Sequence, residues 1–158
     1  FETGAILLWL VDKTGRLGPG PDDPDRAAFL SWLFFTSNAL HQAALAMFYP
    51  HRPAGEANSE AARAAAQEQI VARLGLIETL IATQNPRWLS PEHPSVLGYY
   101  IGVLVRWLTM LPPAPYGIDQ TDFPHLRAVL AAHEARPAAR RVAADEGLGT
   151  HPFTNPGA

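Results

Sequence analysis

The sequence contains no cysteine, which excludes a disulfide frame and any cysteine-based zinc site. Any thiol chemistry must therefore reach these residues through a ligand or from another segment. A concentrated basic face is missing too. Lys and Arg number 12 against 15 Asp and Glu, for a net charge of −3. With a pI near 6.0, this argues against nucleic acid as a partner, because phosphate binding needs such a face. Arg140 and Arg141, the only adjacent Lys/Arg pair, read as a solvated helix end. Long hydrophobic runs are also lacking. The stretch "AILLWLV" falls short of the about 20 residues that cross a bilayer, and it has neither the basic flank nor the small-residue cleavage site of a secretory signal. The stretch "LGYYIGVLVRWLTML" carries Arg106 in its interior. Both read as buried helices, and no membrane partner is expected.

Catalytic signatures are equally scarce. No phosphate loop, HExxH, GxSxG or dinucleotide fingerprint occurs. The 6 histidines are scattered, and none pairs with another at the i, i+4 spacing of a helical metal site, so no metal is expected. No strand of convincing length, internal repeat or low-complexity tract appears.

What is present is helical. The chain has 158 residues, 47% apolar and 17% charged, enough for one domain with a real core. Ala5 to Val11 is a helix-length apolar run closed by Gly15. Gly18-Pro19-Gly20-Pro21 breaks it, and Asp23 is placed to cap a new helix with Pro24 at its first position. That helix runs from Asp25 to Tyr49, is apolar on several sides, and stops at Pro50. After a loop, a second long helix is expected from about Ser59 to Gln84, with Ile70, Leu74, Ile77 and Ile81 as its core stripe. A buried helix from Val96 to Leu111 comes next, capped by Ser95. "PPAPYGIDQTD" reads as a loop, and two shorter helices, about Pro124 to Ala135 and Pro137 to Glu146, precede an irregular tail. The fold class is all-α.

Helical spacing puts Phe34, Asn38, His41, Leu45 and Phe48 on one face of the first long helix. His41 is either a core histidine satisfied by a neighbour or a polar group lining an apolar cleft, and the residues alone leave both open. Ser95 heads only half a capping box, because the fourth position holds Gly98 instead of an acid or amide. Gly98 and Gly102 suggest close approach of a neighbouring helix. Tyr99 and Trp107 fit either core or pocket. Glu60 and Arg63 read as an exposed i, i+3 pair. Trp9, near the linker, is expected to pack between the first helix and the bundle, since so short a helix is marginal alone.

Several of these segments, in order, resemble the glutathione transferase family, specifically its bacterial, beta-type members. "ETGAILLWLVDKTGRLGP" resembles the Glu-Ser-x-Ala-Ile stretch and linker that end the family's thioredoxin-like domain. "WLFFTSNALHQAALAMFYP" resembles the first long helix with its Leu-His-Lys pattern and downstream Phe-x-Pro. "HPSVLGYYIGVLVRW" resembles the Ser/Thr-x-x-Asp core helix, and "ARPAARRVAADEGL" the Arg-Pro-Ala…Glu-Gly-Leu close. The resemblance implies that residues 1–17 end the thioredoxin-like domain, 18–23 are the linker, 24–147 the all-helical domain and 148–158 a tail. It implies that Phe1 falls inside the N-terminal domain and that the catalytic, thiol-activating residue lies upstream, leaving these residues without transferase activity on their own.

By position, Glu2 and Thr3 match the acidic-hydroxyl pair that holds the γ-glutamyl end of glutathione. Phe34, Asn38, His41, Gln42 and Trp107 would face the co-substrate cleft, Gln42 standing where the family often has Lys. Gly98 stands where the family has its core Asp. The implied activity is conjugation of glutathione, as co-substrate, to a small hydrophobic electrophile, in a cytoplasmic homodimer without metal. The competing readings are a non-catalytic binding or assembly module, and a glutathione-dependent disulfide reductase, isomerase or dehalogenase.

Overall fold

The computed structural model describes residues 1–111 and 116–157. Among them every regular element is helical. The helices are α1 (Thr3–Thr14), α2 (Arg26–Phe35), α3 (His41–Phe48), α4 (His51–Ala54), α5 (Ser59–Gln84), α6 (Val96–Thr109), α7 (Pro124–Glu134) and α8 (Pro137–Asp145). Short 3-10 turns at Glu56–Asn58, Arg87–Leu89 and Gln120–Asp122 link them. The loop expected over "PPAPYGIDQTD" lies partly outside the described residues, at 112–115. The stretch after Pro50, expected to be loop, instead contains α4. No described helix is long and apolar enough to cross a membrane.

The core sits between α3, α5, α6 and α7. The expected stripe of α5, Ile70, Leu74, Ile77 and Ile81, is buried as its spacing requires. Each such side chain contributes roughly 1.5–3 kcal/mol. Asn85, in the left-handed region with φ 41°, ends α5. A carboxylate of α5 starts α7: Glu78 accepts from the backbone of His125 at 3.0 Å and Leu126 at 2.8 Å, and lies 2.6 Å from His125 Nδ1. Burial alone would raise the Glu78 pKa, but these bonds together bring it below the ordinary range.

Several local expectations need correction. Asp23 does not cap α2. Its carboxylate accepts from Asp25 N at 2.9 Å, a side-chain turn that delays the helix to Arg26. Trp9 does not pack inward. It is 55% exposed with Lys13 over its ring, and α1 docks instead through Val11, which is fully buried, and through Gly4. α1 is apolar on most sides, so composition alone could not choose its inner face. Glu60 does not pair with Arg63: its carboxylate accepts from the Tyr116 hydroxyl, while Arg63 lies over the Tyr116 ring.

The half-made cap at Ser95 has a clear structural cause. Ser95 Oγ accepts from Gly98 N at 3.0 Å, and Val96 N donates to the carbonyl of Leu17, beyond the end of α1, at 2.8 Å. The space a side chain at Gly98 would need is filled by His133 of α7, whose Cε1 would lie 2.4 Å from an added Cβ. His133 is fully buried, its ring against Tyr99 with centroids 5.3 Å apart. Neither ring nitrogen has a partner of ordinary hydrogen-bond geometry among the described residues. Burial, with Arg136 adding to it, pushes the His133 pKa below the ordinary histidine value, against the nearby carbonyls of His93 and Ser90.

This burial makes stability depend on pH. With the folded pKa lowered, the unfolded chain takes up the proton first. The His133 contribution to stability is constant above about pH 6.5 and declines as pH falls below that value. Urea unfolding at pH 7.5 and 5.5 should show a smaller pH-dependent loss for His133→Leu than for the wild type. Equal losses would refute the assignment.

Candidate functional site

The first long helix is continuous from α2 to α3 but is not α-helical throughout. Thr36–Leu40 forms a π-helical turn in which His41 N donates to Thr36 O. Such a turn adds a residue to the helical register, rotating the residues beyond it by roughly 100°. Phe34 and His41 therefore do not share the face that plain helical spacing assigned them. Phe34 is 54% exposed, Asn38 and Gln42 are exposed, and none of these three borders the cleft beside His41. Arg73 of α5 braces the turn by donating to the Ala39 carbonyl at 2.9 Å.

The π turn brings Ser37 against α1. An added Cβ on the buried Gly4 would lie 3.6 Å from the Ser37 side chain. Thr3, Ser37, His41 and Tyr100 thereby gather at the N-terminal end of α1. His41 Nδ1 and Tyr100 Oη are 2.7 Å apart. Burial raises the Tyr100 pKa, the Glu2 carboxylate adding to the rise while hydrogen bonds with Ser37 and Thr3 work against it. Burial lowers the His41 pKa, opposed by the Glu2 carboxylate. Both shifts favour the neutral forms, a neutral phenol beside a neutral imidazole. Glu2 itself has φ 71°, a strained conformation for a residue with a side chain.

On its other side His41 borders an apolar cleft of about 380 Å³ formed with Leu45, Phe48, Tyr49, Trp107 and Met110. The volume falls in the range of small-molecule sites. The His41 and Trp107 ring centroids are 6.0 Å apart. Of the expected cleft residues, the structure thus brings His41 and Trp107 together with Leu45 and Phe48 and leaves Phe34, Asn38 and Gln42 outside. Glu2 and Thr3 are exposed beside the same polar cluster. Sequence reasoning missed Tyr100, although its spacing of seven from Trp107 places both on one face of α6 and could have suggested it.

No group of three or more candidate metal ligands occurs among the described residues. No family model matches the chain, and no curated protein does. Among solved structures the chain is similar to a bacterial beta class glutathione S-transferase from Sphingomonas chungbukensis, with a TM-score of 0.70 and 25% sequence identity over 94% of this chain and 69% of that one. The fold is therefore that of a helical transferase domain. More narrowly, its all-helical body fits the C-terminal helical domain of the glutathione S-transferases.

Proposed function

We propose that this chain is the part of a glutathione transferase that holds the γ-glutamyl end of glutathione at Glu2 and Thr3 and forms the co-substrate wall. The observation that carries the reading is the His41–Tyr100 contact of 2.7 Å, placed between the Glu2–Thr3 end of α1 and an apolar cleft. A hydroxyl at a helix N-terminus suits a carboxylate, and an acid suits an ammonium. When Tyr100 donates to His41 Nδ1, the ring is held as the Nε2–H tautomer, leaving one N–H donor for the cleft. His41 would then donate to glutathione or to a polarised co-substrate, with Tyr100 as its positioning residue.

In the reaction the glutathione thiolate forms a carbon–sulfur bond with an electrophilic carbon, and the leaving group departs with its electron pair. By the family resemblance, the group that activates the thiol belongs to the thioredoxin-like part, of which residues 1–17 are the end. Residues 18–23 are the linker on this reading, 24–147 the helical domain and 148–158 its tail. The active form is a cytoplasmic homodimer.

In a protein that joins these residues to the thiol-activating domain, His41→Ala should lower turnover or glutathione affinity about tenfold, the value of one donor to a charged group. Tyr100→Phe should give a smaller loss in the same parameter. Unchanged kinetics with a lowered melting temperature for both variants would make His41 a structural histidine and refute the proposal.

A further inference from the structure

We propose a second site, an oxyanion site for a small phosphoryl- or carboxylate-bearing molecule, in the groove between α7, α8 and the tail. It shares no lining residue with the cleft at His41 and does not depend on the transferase reading. One chamber of about 360 Å³ is bordered by Arg127 of α7, Arg140 of α8, and Thr150 and Asn155 of the tail. A second, of about 630 Å³, shares Arg140, Thr150 and His151 and is otherwise bordered by Ala143, Ala144, Gly147 and Gly149.

The groove also holds a carboxylate, Glu134, but neither arginine is paired with it. Neither Arg127 nor Arg140 takes part in an ion pair among the described residues. The one carboxylate at the groove, Glu134, is almost fully buried and committed to the tail. It accepts from Phe153 N at 2.8 Å, Thr154 N at 3.1 Å and the Thr154 hydroxyl, with His151 Nδ1 3.3 Å away. The two guanidinium groups outnumber this single carboxylate, so the lining keeps an excess of positive charge.

A solvated arginine on a convex surface is ordinary. Two arginines bordering one concave chamber beside a hydroxyl and an amide form a recognition geometry, because a guanidinium donates two parallel hydrogen bonds to phosphate or carboxylate oxygens. The tail wall is fixed in advance. Arg106 Nη1 donates to the carbonyls of Leu148 and Pro152 at 3.2 and 3.0 Å, and Gln120 Nε2 to that of Phe153 at 2.8 Å. Little backbone ordering therefore opposes binding. The alanines and glycines of the second chamber leave room for the organic part of the ligand.

The test uses the chain itself, with sodium phosphate, sodium acetate and sodium chloride compared at matched ionic strength by thermal unfolding and titration calorimetry. Phosphate should raise the melting temperature saturably and chloride should not. Arg127→Gln and Arg140→Gln, both at exposed positions, should leave stability in chloride unchanged and weaken phosphate binding about tenfold each. An acetate response as strong as that to phosphate would support the site and assign it to carboxylates. No saturable response to either anion, or a response that survives in the double variant, would overturn the proposal.

Discussion

Replacing Gly98 by alanine is expected to destabilise the fold by about 3 kcal/mol, the upper range for overpacking a filled core. In a chain of this size that lowers the melting temperature by on the order of 10 °C. The new Cβ would lie 2.4 Å from Cε1 and 2.7 Å from Nδ1 of His133. That ring has nowhere to go, being fully buried and packed on Tyr99. The clash is with one side chain, not with backbone, so it should be relieved from the other side. The pair Gly98→Asp with His133→Ala removes the obstruction and supplies the acid that a capping box needs, and Ser95 already makes its half of that box. The double variant should therefore be more stable than Gly98→Asp alone. Thermal unfolding of the single and double variants measures the coupling. Additive losses would show that the two positions do not compete for the same space.

This pair also shows where the sequence could be read and where it could not. The helix from Ser59 to Gln84 was legible because its core stripe repeats at helical spacing and each of those positions is buried. The half-made cap at Ser95 was legible from one missing acid. Its partner was not, because His133 is distant in sequence and nothing local marks it as the residue that fills the gap. The π turn at Thr36–Leu40 contains neither Gly nor Pro. It is held by Arg73 on another helix and by the close approach of α1 at Gly4, so helical spacing carried Phe34 and Asn38 onto a face they do not occupy. His41 was noticeable as a polar residue in an apolar helix. Tyr100 carried only the weaker signal of its spacing from Trp107, because the contact that gives it meaning spans 59 residues.

The tail, irregular by composition, supplies the other large effect. Glu134→Ala should cost about 3–4 kcal/mol, because two tail amides lose a charged acceptor and each buried orphan costs roughly 1–3 kcal/mol. The carboxylate takes both Phe153 N and Thr154 N, and Phe153 is buried with its ring against Gly102 of α6, 3.1 Å from where a Cβ would stand. Arg106 and Gln120 hold the same segment through its carbonyls, so the tail is fastened from α6, α7 and the turn before α7. Losing one fastening should free the end before it unfolds the bundle. Glu134→Gln keeps an acceptor oxygen without its charge and should cost less than half as much. Limited proteolysis and amide exchange at Phe153 distinguish the outcomes. Rapid exchange there with slow exchange retained at Leu104 and Ile77 is expected for Glu134→Ala. Uniformly accelerated exchange would mean that the carboxylate stabilises the whole fold, not the tail alone.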